Sequence, residues 1–151
     1  MRPYVKALQA RKLTAAAIDL PKSKAERAVP VFIDKVPADA IAGGHSYGGR
    51  VASMAAVEVR YAALILLSYP LHRPGHPEDL RTEHWPKIRC PVLLLSGESD
   101  PFARVDLLRA SVRLLPQAEL LTFPGVGHGL IPVIDAAMDR AAEFVRGLRS
   151  A

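Results

Sequence analysis

The sequence predicts an α/β protein of three layers, α/β/α, built on a mostly parallel sheet of about five strands. Three observations predict it. Short apolar runs alternate with stretches of helical periodicity along the whole chain. Residues 62–68 and 92–96 are apolar at nearly every position, the pattern of strands covered on both faces. Polar residues suited to chemistry (Ser46, Ser68, Asp100 and His128) each follow a strand, where ligands bind in open parallel sheets.

The elements follow in order. Residues 4–13 carry Val5, Leu8 and Leu13 near one face and predict a short helix. Ala15-Ala16-Ala17-Ile18-Asp19-Leu20 predicts a short strand stopped by Pro21. Ser23 with Glu26 three residues later has the form of a capping box, opening a helix to about Lys35. Pro30 falls inside that helix and should kink or shorten it. Residues 39–45 predict a strand leading into Ser46, and 49–60 a helix with Val51, Met54, Ala55 and Val59 inward. Residues 62–68 form a buried strand. The stretch 69–86, rich in Pro, Gly and His, predicts a long loop. Strands at 92–96 and 118–123 bracket an amphipathic helix at 104–115. A loop at 124–129 precedes a closing helix at 131–148.

The segment Gly44-His45-Ser46-Tyr47-Gly48 joins a predicted strand to a predicted helix. A serine at such a turn takes φ > 0, and the residues two before and two after come close, so both must be small. Gly44 and Gly48 meet that demand, with Gly43 and Gly49 adding room. The rival reading is a glycine-rich turn with an idle serine. Ser46 is the candidate nucleophile. It requires a base, and His128 in Gly125-Val126-Gly127-His128-Gly129 follows the last strand. The base requires an orienting carboxylate. Asp100 in Ser99-Asp100-Pro101 is that candidate, Glu98 the competitor, and an Asx-turn the structural alternative.

Composition narrows the classes. Half of the 151 residues are hydrophobic, enough for one domain spanning 1–151. The net charge of +5 is spread along the chain with no long basic run, and aromatics make up only 6%, so nucleic acid is not the expected partner. No apolar run reaches the ~20 residues of a membrane span. The first residues lack a signal peptide's apolar stretch, so a cytoplasmic protein is expected. Cys90 is the sole cysteine, which precludes an internal disulfide and a thiolate cluster. His72 and His76 are four apart, but Pro74, Gly75 and Pro77 forbid a helix there, and no metal site is expected.

At these residues the chain resembles the C-terminal part of an α/β-hydrolase, from about Pro3 onward. It is most similar to the dienelactone-hydrolase-like branch that includes testis-expressed and NSL-complex hydrolase-like proteins. Three motifs carry the resemblance: Gly-Gly-His-Ser-Tyr-Gly-Gly-Arg-Val-Ala-Ser at 43–53, Ser-Tyr-Pro-Leu-His-Arg-Pro-Gly at 68–75 with Leu-Arg-Thr at 80–82, and Gly-Glu-Ser-Asp-Pro-Phe at 97–102. The order Ser46, Asp100, His128 is the family's order. The resemblance implies a serine hydrolase acting on a small ester, thioester or lactone through an acyl-enzyme, with no cofactor and with the Tyr47 amide as an oxyanion donor. It also implies a loop over the site, with Tyr69 and His72 as candidate substrate-wall residues. The alternatives are a non-catalytic interaction module and an acyltransferase sharing the same three residues.

The family has three further strands and an oxyanion loop before the first helix. The expected reason is an incomplete gene model that starts inside the real protein. The absent third strand would lie between the strands at 15–20 and 39–45. Three consequences are open: direct pairing of those two strands, which is the expectation for these 151 residues; pairing of an exposed edge with a second copy in a homodimer; or a segment supplied from upstream.

Overall fold

A computed structural model describes residues 1–149. The expected domain, 1–151, therefore extends two residues beyond the described ones. Four strands, β1 (Ile41–His45), β2 (Ala63–Leu67), β3 (Val92–Gly97) and β4 (Ala118–Phe123), form one sheet in the spatial order β1-β2-β3-β4. Every pairing is parallel, with Gly43 opposite Ile65, Leu66 opposite Leu94 and Ser96 opposite Thr122. The helices are α1 (Arg2–Ala10), α2 (Ala25–Lys35), α3 (Tyr47–Glu58), α4 (Val105–Ser111) and α5 (Ile134–Arg149).

The all-apolar strands dictate the layers. Successive side chains of a strand point to opposite faces, so a run apolar at every position needs cover on both sides. Leu64, Leu66 and Leu94 face a core shared with α2, α3 and α4. Ala63, Leu67, Leu93 and Leu95 face a second core shared with α1 and α5. Leu64, Leu66, Leu93 and Leu95 are fully buried. Each contributes about 1.5–3 kcal/mol, which makes β2 and β3 the rigid centre from which the site is hung. Arg11 ties α1 to α5 through ion pairs with Asp135 (3.2 Å) and Asp139 (2.7 Å).

Residues 15–20 do not form the expected strand. Alanine has weak strand propensity, and no backbone ladder reaches this stretch. Ile18 and Leu20 instead lodge at the edge of the first core. Direct pairing with 39–45 is therefore absent, and the sheet has four strands with β1 at its edge. Cavities of about 270 and 240 Å³ flank that edge, both bounded by Ala16, Ala42 and Gly43.

Smaller differences have local causes. The first helix ends at Ala10, and Lys12 takes φ 63°, which stops it. Ser23 does not cap α2: the N-cap is Lys24, no side chain caps it, and the Ser23 hydroxyl reaches the Lys24 carbonyl (3.3 Å). α2 continues through Pro30 to the predicted Lys35. The third helix starts at Tyr47 rather than residue 49. Among the described residues no helix is long and apolar enough to cross a membrane.

Candidate active site

Ser46 sits at the carboxyl end of β1, at the first turn of α3. Its backbone takes φ 52° and ψ −118°, a conformation that costs a non-glycine residue about 1–3 kcal/mol. The surroundings impose it. The Ser46 N–H donates to the Leu67 carbonyl (2.8 Å), and the Ser46 carbonyl accepts from the Arg50 N–H (3.1 Å). The chain is thus held to β2 on one side and to α3 on the other.

The glycines around it are not equivalent. A Cβ on Gly44 would collide with the Gly48 carbonyl carbon and stand 2.6 Å from the Gly49 nitrogen. A Cβ on Gly48 would meet nothing within 4 Å. The expectation that both must be small therefore holds for Gly44 and fails for Gly48. Gly43 and Gly49 are constrained as well: a Cβ on Gly43 would collide with the Ile65 carbonyl oxygen of β2, and one on Gly49 would fall 2.9 Å from the Gly44 carbonyl oxygen. The reason is the direction of a helical Cβ: from Gly48 it points outward, from Gly49 back onto the strand.

Three side chains from three separate elements form one hydrogen-bonded chain. The Ser46 hydroxyl donates to His128 Nε2 (2.7 Å), and His128 Nδ1–H donates to Asp100 Oδ2 (2.8 Å). The other carboxylate oxygen, Oδ1, accepts the Phe102 N–H (2.8 Å). The Asp100 side chain is wholly buried and that of His128 is 27% exposed, so the chain runs from a dry end to an open one. Glu98, the competing carboxylate, is occupied elsewhere: it accepts from the Thr122 hydroxyl (2.8 Å) and faces Arg109 (3.6 Å).

The Tyr47 amide is the first of α3, one of the helix N–H groups with no partner inside the helix. The Tyr47 hydroxyl donates to the Ser23 carbonyl (2.8 Å) and anchors the turn to the segment before α2.

Tyr69 and His72 are not brought to the chain. Tyr69 is 1% exposed and donates to the Arg81 carbonyl (2.6 Å). His72 is 3% exposed, its Nδ1–H donating to the Arg73 carbonyl (2.9 Å) and its Nε2 accepting the Arg104 N–H (3.0 Å). Both brace the long loop from inside. Loops rich in Pro and Gly leave main-chain groups to be satisfied by side chains, and the sequence does not show that these two rings are used so. Ser68, also placed after a strand, is fully buried with its hydroxyl unpaired.

Two other residues shape the site. Gly97 ends β3, and a Cβ there would overlap the Val126 and Gly127 carbonyls. Its lack of a side chain lets the His128 loop close onto Asp100. The Phe102 ring lies 4.4 Å from that of His128. The only sequence signal for either was membership of the 97–102 motif.

A cavity of about 710 Å³ lies elsewhere, between α2, α3 and the long loop. It is lined by Arg50, Arg81 and His84 with several carboxylates, and neither Ser46 nor His128 borders it. His76, Glu78 and Asp79 offer possible metal-ligand atoms within 4.8 Å of one another, all on exposed side chains.

A parallel sheet with helices on both faces and a serine in a strained strand–helix turn define the α/β-hydrolase fold class. The chain belongs to the alpha/beta hydrolase domain family, whose model matches residues 5–147. Among solved structures, it is similar to a monoacylglycerol lipase of Paleococcus ferrophilus (TM-score 0.81, 14% identity, 97% of this chain and 88% of that one). A thermophilic esterase from Thermogutta terrifontis is similar too (TM-score 0.69, 17% identity, 97% and 86%). So is a predicted CIB-like hydrolase from Thermoplasma acidophilum (TM-score 0.69, 18% identity). The match covers 83% of this chain but only 61% of the Thermoplasma chain.

Proposed function

We propose that this protein is a serine hydrolase of the carboxylic-ester type, acting on a small ester, thioester or lactone. The observation that carries the reading is the continuous hydrogen-bonded chain from Ser46 through His128 to Asp100. In this mechanism Ser46 Oγ attacks the carbonyl carbon as His128 Nε2 takes its proton. The buried Asp100 holds Nδ1–H, which fixes the tautomer and stabilises the imidazolium. The Tyr47 N–H faces the developing oxyanion, where one such donor is worth about 10²–10³ in rate. His128 then protonates the leaving group, and the acyl-Ser46 ester is cleared by water activated on the same imidazole. The family membership and the esterase and lipase neighbours support a hydrolase. The motifs at 43–53, 68–75 and 97–102 support the dienelactone-hydrolase-like branch.

An alkyl fluorophosphonate reads the nucleophile whatever the natural substrate. Stoichiometric modification at Ser46, lost in Ser46→Ala and in His128→Ala, is the expected result. Folded protein that takes up no label would favour a non-catalytic module. Product analysis with a competing alcohol separates hydrolysis from acyl transfer.

A further inference from the structure

The loop that carries His128 is poorly suited to hold it. His128 stands between Gly127 and Gly129, and Gly125 takes φ 72°. Glycines widen the accessible backbone and raise the entropy lost on ordering. The loop is fixed upstream where the Ser99 N–H donates to the Val126 carbonyl (2.9 Å). It is fixed downstream at Leu130, which is fully buried. Between those points, among the described residues, one hydrogen bond reaches the main chain: His45 Nε2 to the His128 carbonyl (3.3 Å). A carbonyl can only accept, so His45 Nε2 carries the proton.

His45 is itself held. Its ring stacks on Tyr4 of α1, with centroids 5.4 Å apart and planes 23° from parallel. The Tyr4 hydroxyl accepts the Leu130 N–H (3.0 Å) at a buried position. One stacked pair therefore grips the loop on both sides of Gly129, by a donor at 128 and an acceptor at 130. Burial lowers the His45 pKa, keeping the ring neutral.

We infer that the stacked Tyr4–His45 pair is a clamp on the His128 loop, and that His45 is a positioning residue acting on the base through its main chain. The catalytic half of this inference rests on the hydrolase reading above. Its physical basis is the steep dependence of rate on placement, in which an error of about 1 Å can cost ~10²-fold.

Two variants isolate the hydrogen bond. His45→Phe keeps a flat ring against Tyr4 and removes the donor. His45→Gln keeps an amide N–H near the position of Nε2. The measurements are the fluorophosphonate inactivation rate constant at saturation, its half-saturation concentration, and amide hydrogen exchange across residues 124–131. For His45→Phe we expect a saturating rate lower by about tenfold or more, an unchanged half-saturation concentration and faster exchange in 124–131. His45→Gln should recover most of both. Tyr4→Phe should speed exchange in the same segment. A His45→Phe protein with wild-type rate and wild-type exchange would overturn the clamp, as would equal losses in the Phe and Gln variants. If wild-type protein takes no label, the hydrolase reading falls and exchange alone decides the clamp.

Discussion

Alanine substitution at Gly44 and at Gly48 should have opposite effects, although the two glycines flank Ser46 symmetrically in the sequence. At Gly44 the new Cβ would stand 2.6 Å from the Gly49 nitrogen and 2.7 Å from the Gly48 carbonyl oxygen. Relieving these contacts, and the tighter one with the Gly48 carbonyl carbon, to an ordinary ~3.4 Å requires a backbone shift of about 1 Å. Neither side yields easily, since β1 is laddered to β2 and the colliding atoms belong to the first turn of α3. Overpacking of this kind costs about 1–3 kcal/mol, and the upper end applies where backbone must move. A chain of this size then loses roughly 6–12 °C in Tm. At Gly48 the Cβ meets nothing within 4 Å, and the residue is helical. Ala there should stabilise by about 0.5–1 kcal/mol. Urea denaturation of the two variants beside the wild type measures the gap, which should be about 3–4 kcal/mol. Gly44→Ala should also lose fluorophosphonate reactivity, because the shift displaces Ser46. Equal stabilities for the two variants, or a Gly48→Ala protein less stable than Gly44→Ala, would refute the geometry assigned to the turn.

Other substitutions probe Asp100 and two inward-facing groups outside the site, Tyr69 and His84. Asp100→Asn should fold normally and lower the rate of Ser46 acylation by about 10³–10⁴, because the amide no longer imposes the required His128 tautomer; a loss under tenfold would remove Asp100 from the mechanism. Tyr69→Phe strips the buried donor from the Arg81 carbonyl and should cost about 1–3 kcal/mol of stability with little change in labelling. A large change in labelling at unchanged stability would return Tyr69 to the substrate wall. His84, hydrogen-bonded to the Ser53 hydroxyl (2.8 Å), has its pKa lowered to about 4 by burial and then by Arg50. A base whose folded pKa lies below its unfolded value binds more protons when unfolded. Stability should therefore fall as pH drops from about 6.5 towards about 4 and level off below. The denaturation midpoint of His84→Gln, compared with wild type at about pH 7 and about pH 4.5, should show a smaller acid loss; an identical loss would contradict the assignment.

The sequence alone was enough for the layers and for the three side chains that form the hydrogen-bonded chain. Runs such as Ala63–Leu67 admit no solvent face, so helices on both sides of a parallel sheet followed from composition at single positions. Ser46, His128 and Asp100 were legible because each sits at the end of a strand beside residues with a backbone purpose: glycines around the serine and histidine, a proline after the aspartate. Those are local signals, and local physics produces them. Tertiary structure decided what depends on partners distant in the chain. Residues 15–20 read as a strand, yet a strand exists only where a neighbour offers a ladder, and β1 pairs with β2 alone. Gly44 and Gly48 look alike in the sequence, and only the direction of each Cβ against the opposing backbone tells them apart. Asp100 and Glu98 were separated by where Thr122 and Arg109 of other elements stood. Tyr69 and His72 went inward because the long loop needed their polar atoms more than the surface did. The grip of His45 and Tyr4 on the His128 loop joins residues 126 apart in its longest link, a separation over which one-dimensional patterning carries no information.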